Sequence, residues 1–215
     1  MALPGEVTVV DDVPAAFAAL FGALAPRSVA LSGGATARRC YEALAARRPD
    51  LSGVEVFFGD ERFVPPGHPD SNEGLARRAL LAHVVTGAVH PMYRPGPVGA
   101  AARAYDRLVR AAPPIDVVHL GVGDDGHTAS LFPGARALEE RVRLVVATGD
   151  DTHPHPRLTF TYPAIARARV ALVTVAGRSK REVLEAIARG ADLPAARIRA
   201  DRVLWLVGRD AAPNG

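Results

Sequence analysis

The chain has 215 residues, of which 48% are hydrophobic and 23% charged, with a formal net charge of +3. These values are ordinary for a soluble globular protein, and no cluster of Lys and Arg with aromatics indicates nucleic-acid binding. The single cysteine, Cys40, excludes a disulfide framework, and no apolar stretch approaches the about 20 residues of a membrane helix. We therefore expect a soluble, cytoplasmic protein with one large domain or two small ones, without nucleic-acid or membrane partners.

The first half of the chain alternates strands and helices. We predict a strand at 7–10, a helix at Val13–Leu24 with Pro14 in its first turn, and a strand at Ser28–Leu31. A glycine turn at 32–36 leads into a helix that ends near 48, and another strand covers 54–58. A loop rich in Pro, Gly and His then precedes a helix that begins at 71–72.

The second half continues the alternation. Helices are predicted at 100–111 and from 180 to about 189, with a short helix or turn at 163–165. Strands are predicted at 115–122, 144–147, 158–161, 169–175 and 203–207, and residues 210–215 are predicted to fray. This order indicates an α/β fold with three layers, in which a mostly parallel, Rossmann-like sheet has helices on both faces.

The most informative stretch is IDVVHLGVGDDGHTASLFPG at 115–134. An apolar strand leads into a turn with three glycines; Asp124 and Asp125 lie before the third glycine, and His127 follows it directly. Ligands bind beyond the carboxyl ends of strands in open α/β sheets, so this loop is expected in the site. A neutral His can accept a proton near pH 7, a neighbouring carboxylate can fix its tautomer, and glycine N–H groups can hold an oxyanion. Together these groups suit water attack on an ester.

Other interpretations of this loop remain open. His127 can be an ordinary surface residue or helix cap, and GVGDDG fits the G-x-G-x-x-G dinucleotide fingerprint. Against that fingerprint, the two aspartates would repel a pyrophosphate, and Pro133 interrupts any following helix. A catalytic triad of Ser130, His127 and Asp125 is conceivable, but the usual serine elbow is absent. A zinc site is disfavoured, because one His and two Asp without a second His nearby are few ligands for zinc.

Candidate anion-binding groups follow three other strands. The Gly33–Gly34 turn opens a helix, whose N–H groups and dipole attract anions, although it can equally be a plain turn capped by Thr36. Arg62 offers a planar fork for phosphate, unless it merely pairs with Asp60 or Glu61 at the surface. Lys180 opens a helix, where a lone cation is unfavourable unless an anion neutralises it.

The remaining histidines carry less signal. His153 and His155 in the loop at 153–157 suggest a metal only weakly, because no further spaced ligands accompany them in the sequence. His68 is predicted to be a solvated loop residue. The sequence therefore gives little support for a metal site in this loop.

Four separated stretches, LSGGATAR, FFGDERFVPPGHPDSN, HLGVGDDGHTASLFPG and VAGRSK, resemble the motifs of the 6-phosphogluconolactonases, in family order and over nearly the whole chain. That family is related to the glucosamine-6-phosphate deaminases/isomerases. The resemblance implies hydrolysis of 6-phospho-D-glucono-1,5-lactone to 6-phosphogluconate in the oxidative pentose phosphate pathway. It implies a small phosphosugar lactone as the partner, no metal or organic cofactor, and a single domain over residues 1–215. We expect a monomer or weak homo-oligomer.

The resemblance also assigns roles by motif position. It implies that His127 activates water with support from Asp125, and that Arg62 and Lys180 bind the phosphate near the glycine loop. The other residues placed in the site are Asp60, Asn72 and Arg157, with Arg178 as an added cation that either shares the phosphate or faces solvent. The family's SGGSTP loop has a Ser where this chain has Ala35, which removes one hydroxyl.

Two other functions, a deaminase/isomerase and a non-catalytic sensor, are alternatives to the lactonase. The deaminases carry DGHIAFNEPG, whose Glu assists the ring-opening His, whereas this chain has Phe132 at that position. They also favour DEY where this chain has Asp60-Glu61-Arg62. A non-catalytic sugar-phosphate sensor would tolerate loss of the base, but both His127 and Asp125 are present.

Overall fold

A computed structural model describes residues 3–149 and 154–213 of the chain. Its main sheet has six strands in the order β1-β9-β8-β5-β2-β3, and every neighbouring pair is parallel. These strands are β1 Glu6–Val10, β2 Ser28–Leu31, β3 Glu55–Phe58, β5 Val117–Leu120, β8 Val170–Val175 and β9 Arg202–Gly208. All residues of β5 and β8 are buried, as expected for parallel strands covered on both faces.

Helices flank this sheet, which confirms the predicted α/β fold. They are α1 Val13–Leu24, α2 Ala35–Ala46, α3 Asn72–Ala76, α4 Val98–Ala111, α5 Tyr162–Ala166 and α6 Arg181–Ala188. Local capping explains the accurate prediction of α1, because Asp12 accepts a hydrogen bond from the N–H of Ala15 and Pro14 lies in the first turn. One hydrophobic core runs through the described residues, with the Trp205 side chain fully buried in it.

A second, smaller sheet was not predicted. Strands β4 Asp60–Arg62, β7 Arg157–Phe160 and β6 Val145–Thr148 form an antiparallel sheet in the order β4-β7-β6. The sequence predicts no strand at 60–62, because three residues are too short to show a strand period. The register places Arg62 directly opposite Arg157, and this pairing shapes one side of the site.

The other differences lie at element ends. The strand predicted at 115–122 is only Val117–Leu120, and α4 begins two residues before the predicted start. The helix predicted from residue 71 is α3 followed by a π-helical turn at Arg77–Leu81, and a 3₁₀ turn at Arg178–Lys180 precedes α6. Among the described residues, no helix combines the length and apolar character that a bilayer crossing needs.

Candidate active site

The loops after the parallel strands surround a cavity of about 350 Å³. Strands β2, β3, β5 and β8 are neighbours or near neighbours in the sheet, so the segments after their carboxyl ends converge on it. Nine of the predicted site residues line this cavity: Gly33, Gly34, Thr36, Asp60, Arg62, Asn72, His127, Arg157 and Lys180. Asp125 is held against the His127 ring, whereas Arg178 is exposed and is not among the lining residues.

His127 and Asp125 form a short hydrogen-bonded pair. The His127 Nδ1 atom lies 2.6 Å from Asp125 Oδ1, and the same oxygen accepts the backbone N–H of His127 at 3.0 Å. Partial burial raises the pKa of Asp125, but the bonds from His127 outweigh it and the pKa lies below its ordinary value. The ionised carboxylate favours the proton on Nδ1, which leaves Nε2 of the neutral ring as a proton acceptor.

Gly123 makes this pair possible. A Cβ atom at position 123 would lie 2.0 Å from His127 Nδ1 and 2.7 Å from Asp125 Oδ1, so any side chain would displace both groups. The Gly123 N–H donates to the carbonyl oxygen of His127 at 2.9 Å, which closes the loop on itself. Glycine at position 123 is therefore required for the contact between His127 and Asp125.

The neighbours of His127 exclude two of the alternatives considered for this loop. The hydroxyl of the fully buried Ser130 donates to Asp60 Oδ2 at 2.8 Å, so Ser130 does not complete a triad with His127. No α-helix follows the glycine loop before α5 in the described part of the chain, so the dinucleotide fingerprint lacks its structural context. The Phe132 ring lies 4.8 Å from the imidazole of His127, centroid to centroid, and gives it an apolar neighbour.

Two arginines, Arg62 and Arg157, line the cavity. Arg62 and Arg157 face each other across the β4–β7 pair, and each has a buried Nε atom without a hydrogen-bond partner among the described residues. Burial lowers the pKa of Arg157, and the positive charge of Arg62 lowers it further. Like charges directly opposite in a sheet are destabilising, and buried donors without acceptors carry a desolvation penalty. The arrangement is suited to a bound anion.

The glycine loop adds backbone donors to this side. Gly34 has φ of 92° and precedes α2 without a side-chain cap, so the first N–H groups of α2 have no side-chain acceptor from its N-cap residue. A Cβ atom on Gly33 would lie 1.8 Å from Asn72 Oδ1, so only glycine permits this approach. The Asn72 Nδ2 atom donates to the carbonyl oxygen of Asp60 at 3.0 Å, and its Oδ1 atom is buried without a partner among the described residues.

Lys180 approaches the cavity from β8. Its Nζ atom lies 2.7 Å from Asp124 Oδ1, and the Asp124 side chain is 73% exposed. An exposed ion pair of this kind contributes about 0–1 kcal/mol, so a bound dianion can replace Asp124 at small cost. Lys180 immediately precedes α6, as the sequence predicted.

Sequence reasoning missed two buried polar groups that support these loops. Glu61 is fully buried and accepts the backbone N–H groups of Asn72 and Glu73, both at 2.7 Å, and the Ser71 hydroxyl at 3.0 Å. Burial raises the pKa of Glu61 to about 7, although these hydrogen bonds oppose the shift. The only signal in the sequence was the Ser-Asn-Glu helix start, which does not reveal a distant carboxylate.

The second missed group is His119, which lies in the cavity floor on β5. Its Nδ1 atom is 2.9 Å from the Tyr41 hydroxyl, and its Nε2 atom is 2.9 Å from Thr174 Oγ1. Burial lowers the pKa of His119 to about 3, so the ring is neutral near pH 7. In the sequence, His119 is only a polar interruption of an apolar strand, a pattern that does not predict a place in the site. His153, considered as a metal ligand with His155, lies outside the described residues.

Comparison with known proteins agrees with this architecture. Residues 8–205 match the family described as glucosamine-6-phosphate isomerases/6-phosphogluconolactonase. A 6-phosphogluconolactonase of Nostoc is 44% identical over 73% of this chain and 69% of its own length. One from Synechocystis is 42% identical over 87% of this chain and 84% of its own length.

A solved structure gives the same result at the level of the fold. The crystal structure of 6-phosphogluconolactonase from Thermotoga maritima superposes with a TM-score of 0.84 at 28% identity. The alignment covers 95% of this chain and 99% of that chain. The chain therefore belongs to the glucosamine-6-phosphate isomerase/6-phosphogluconolactonase family.

Proposed function

We propose that His127 is the general base with which this chain hydrolyses 6-phospho-D-glucono-1,5-lactone to 6-phospho-D-gluconate. The lactonase activity, a step of the oxidative pentose phosphate pathway, follows from the family and from the named relatives. The observation that carries the mechanism is the 2.6 Å contact between His127 Nδ1 and Asp125 Oδ1, together with the position of His127 in the cavity lining. This contact leaves Nε2 as the atom available to a water molecule.

The proposed reaction has two steps. The neutral His127 ring takes a proton from water at Nε2 while the water oxygen bonds to the lactone C1, which gives a tetrahedral intermediate with an oxyanion. The intermediate then breaks its bond between C1 and the ring oxygen, and the imidazolium returns the proton to that oxygen as it becomes a hydroxyl. Asp125 stabilises the imidazolium between the two steps, and N–H donors of the glycine loops are suited to the oxyanion.

The phosphate of the substrate is proposed to lie against the cations. Arg62 and Arg157 each offer a buried Nε–H without a partner among the described residues, and the dipole of α2 points its positive end at the same cavity. Lys180 joins them once it leaves Asp124. The hydroxyl of Thr36 lines the cavity and offers one further donor, whereas Ala35 contributes only its backbone N–H.

The alternative activity in the same family is sugar-phosphate isomerisation with deamination. The side chain that contacts the His127 ring is Phe132, which can neither give nor accept a proton. In the motif of the deaminases this position carries the Glu that assists ring opening. The contact between the two rings favours the lactonase.

The test compares the two reactions on the purified chain. Freshly made 6-phosphogluconolactone is supplied with the spontaneous hydrolysis subtracted, and glucosamine 6-phosphate is assayed separately for ammonia. We expect lactone hydrolysis well above the spontaneous rate and no enzymatic ammonia release. Ammonia formation at a rate comparable with lactone hydrolysis would contradict the proposal.

A further inference from the structure

A second group of ligand-type side chains lies beside the cavity and is not among its lining residues. His68, Asp70 and His155 each offer one ligand atom, and these atoms lie within 4.8 Å of one another. His68 and Asp70 belong to the loop between β4 and α3, and His155 belongs to the segment before β7. We propose that these three residues, the His68–Asp70–His155 cluster, bind a divalent transition metal ion of the zinc class.

The geometry is close to that of a bound site. His155 Nε2 lies 2.9 Å from Asp70 Oδ2, and His68 Nδ1 lies 3.9 Å from the same oxygen. Zinc bonds to nitrogen and oxygen are about 2.0–2.2 Å long, so tetrahedral ligand atoms stand roughly 3.3 Å apart. The two measured separations lie on either side of that value. Side-chain rotations of the two partly exposed histidines would bring these atoms to metal-ligand spacing, at the cost of their present hydrogen bonds with Asp70.

The donor set selects the class of metal. Two imidazole nitrogens and one carboxylate oxygen suit zinc, cobalt and nickel, whereas magnesium and calcium prefer oxygen ligands alone. The Asp70 carboxylate supplies the oxygen ligand of the set. His68 Nδ1 accepts the Asp70 N–H at 3.1 Å, so its lone pair would leave this hydrogen bond to bind a metal. Three protein ligands leave a position for water.

The cluster is connected to the arginine pair. The Arg62 Nη1 atom donates to the carbonyl oxygen of Asp70 at 2.6 Å, and His155 is two residues before Arg157. A metal would therefore clip together the two segments that carry these guanidinium groups. We expect it to lower the KM for the phosphorylated lactone, a consequence that rests on the proposed phosphate role of the arginines. Binding itself does not depend on that role.

Cobalt(II) provides a direct test because its visible spectrum reports its ligands. The chain is treated with a chelator, dialysed and titrated with Co²⁺, by absorbance and by calorimetry, as wild type, His68→Ala and His155→Ala. His83→Ala is the matched control, because His83 is exposed, is not part of the cluster, and has its Nε2 atom 2.9 Å from the Arg78 carbonyl oxygen. Outer-shell partners of metal ligands are already worth about 10–100-fold in affinity, so loss of a direct ligand should weaken binding at least about tenfold.

The outcomes separate binding from function. The proposal predicts a ligand-field spectrum in the wild type and in His83→Ala, its loss in both cluster variants, and no competition by Mg²⁺ at equal concentration. Equal Co²⁺ affinity in all four proteins, or no binding to the wild type, would overturn it. If Co²⁺ binds as predicted but leaves KM unchanged, the metal site stands and its coupling to the phosphate is wrong.

Discussion

The arginine pair leads to the most specific prediction about the substrate. Arg62→Ala, Arg157→Ala and Lys180→Ala each remove a cation from the cavity. A hydrogen bond to a charged group contributes about 1.5–3 kcal/mol, which corresponds to a loss of about ten- to hundredfold in kcat/KM for the phosphorylated lactone. Unphosphorylated gluconolactone never forms the contact, so its kcat/KM should change little. The assay is kcat/KM for both lactones, with spontaneous hydrolysis subtracted.

In the ligand-free protein, removal of Arg157 should leave thermal stability unchanged or raise it, although it lowers kcat/KM. Arg62 and Arg157 repel each other across β4 and β7, and each has a buried donor without a partner among the described residues. Removing one guanidinium relieves that repulsion, so thermal unfolding of Arg157→Ala without ligand should occur at the same temperature as wild type or higher. Added inorganic phosphate should stabilise the wild type more than this variant, because a ligand stabilises only the state that binds it.

Arg178→Ala is the matched control for these variants. Arg178 is exposed, is not among the cavity-lining residues and lies two positions before Lys180, so its loss changes the net charge equally without removing a cation that lines the cavity. We expect its kcat/KM to stay close to wild type. Equal proportional losses on the two lactones, or an equal loss in Arg178→Ala, would refute the assignment of the phosphate to these cations.

Three further predictions concern the support of the site. Asp125→Asn should lower kcat by at least about tenfold with little change in KM, because the amide no longer holds the imidazole in its acceptor tautomer. Gly33→Ala should raise KM, since its Cβ would lie 1.8 Å from Asn72 Oδ1, whereas Gly53→Ala, with no neighbour within 4 Å, should not. Burial lowers the pKa of His119 to about 3, whereas the value in the unfolded chain is about 6.5, so between these pH values only the unfolded state binds the proton. The urea midpoint of unfolding should therefore fall as the pH drops from about 6.5 toward about 3. It should fall less steeply in His119→Gln, which lacks the titrating ring.

Local patterns in the sequence account for the parallel sheet and its helices. The α1 helix has its Asp12 cap and Pro14 within one turn, and the strand Ser28–Leu31 is a short apolar run before a glycine turn. Because these signals lie within a few residues of one another, they predict the element without knowledge of the rest of the chain. The strand predicted at 115–122 was too long, because apolar residues continue past the end of the hydrogen-bonded ladder.

The small antiparallel sheet could not be predicted in the same way. Strand β4 has three residues, and its partner β7 is far away in sequence, so no local period marks either the pairing or its register. The opposition of Arg62 and Arg157 follows from that register alone. Burial of Glu61 has the same origin, since its donors become neighbours only when α3 packs against β4.

The candidate site was predicted where its residues belong to compact motifs. His127 and Asp125 are two residues apart, and their contact is that of a local turn closed by Gly123. The His68–Asp70–His155 cluster illustrates the reverse, because His155 finds its neighbours in a loop that precedes it by more than 80 residues in the sequence. The sequence therefore supported only a weak metal interpretation for His155.

The central claim is that His127 is the base that activates water. His127→Ala should lower kcat for 6-phosphogluconolactone by about 10² to 10⁴, the usual range for a positioned acid–base group. The variant should fold normally, because the ring is about one-third exposed in a loop, and unfolding curves will check this. The account predicts this loss together with partial recovery on addition of free imidazole. A folded His127→Ala protein that keeps near-normal turnover after subtraction of spontaneous hydrolysis would contradict it.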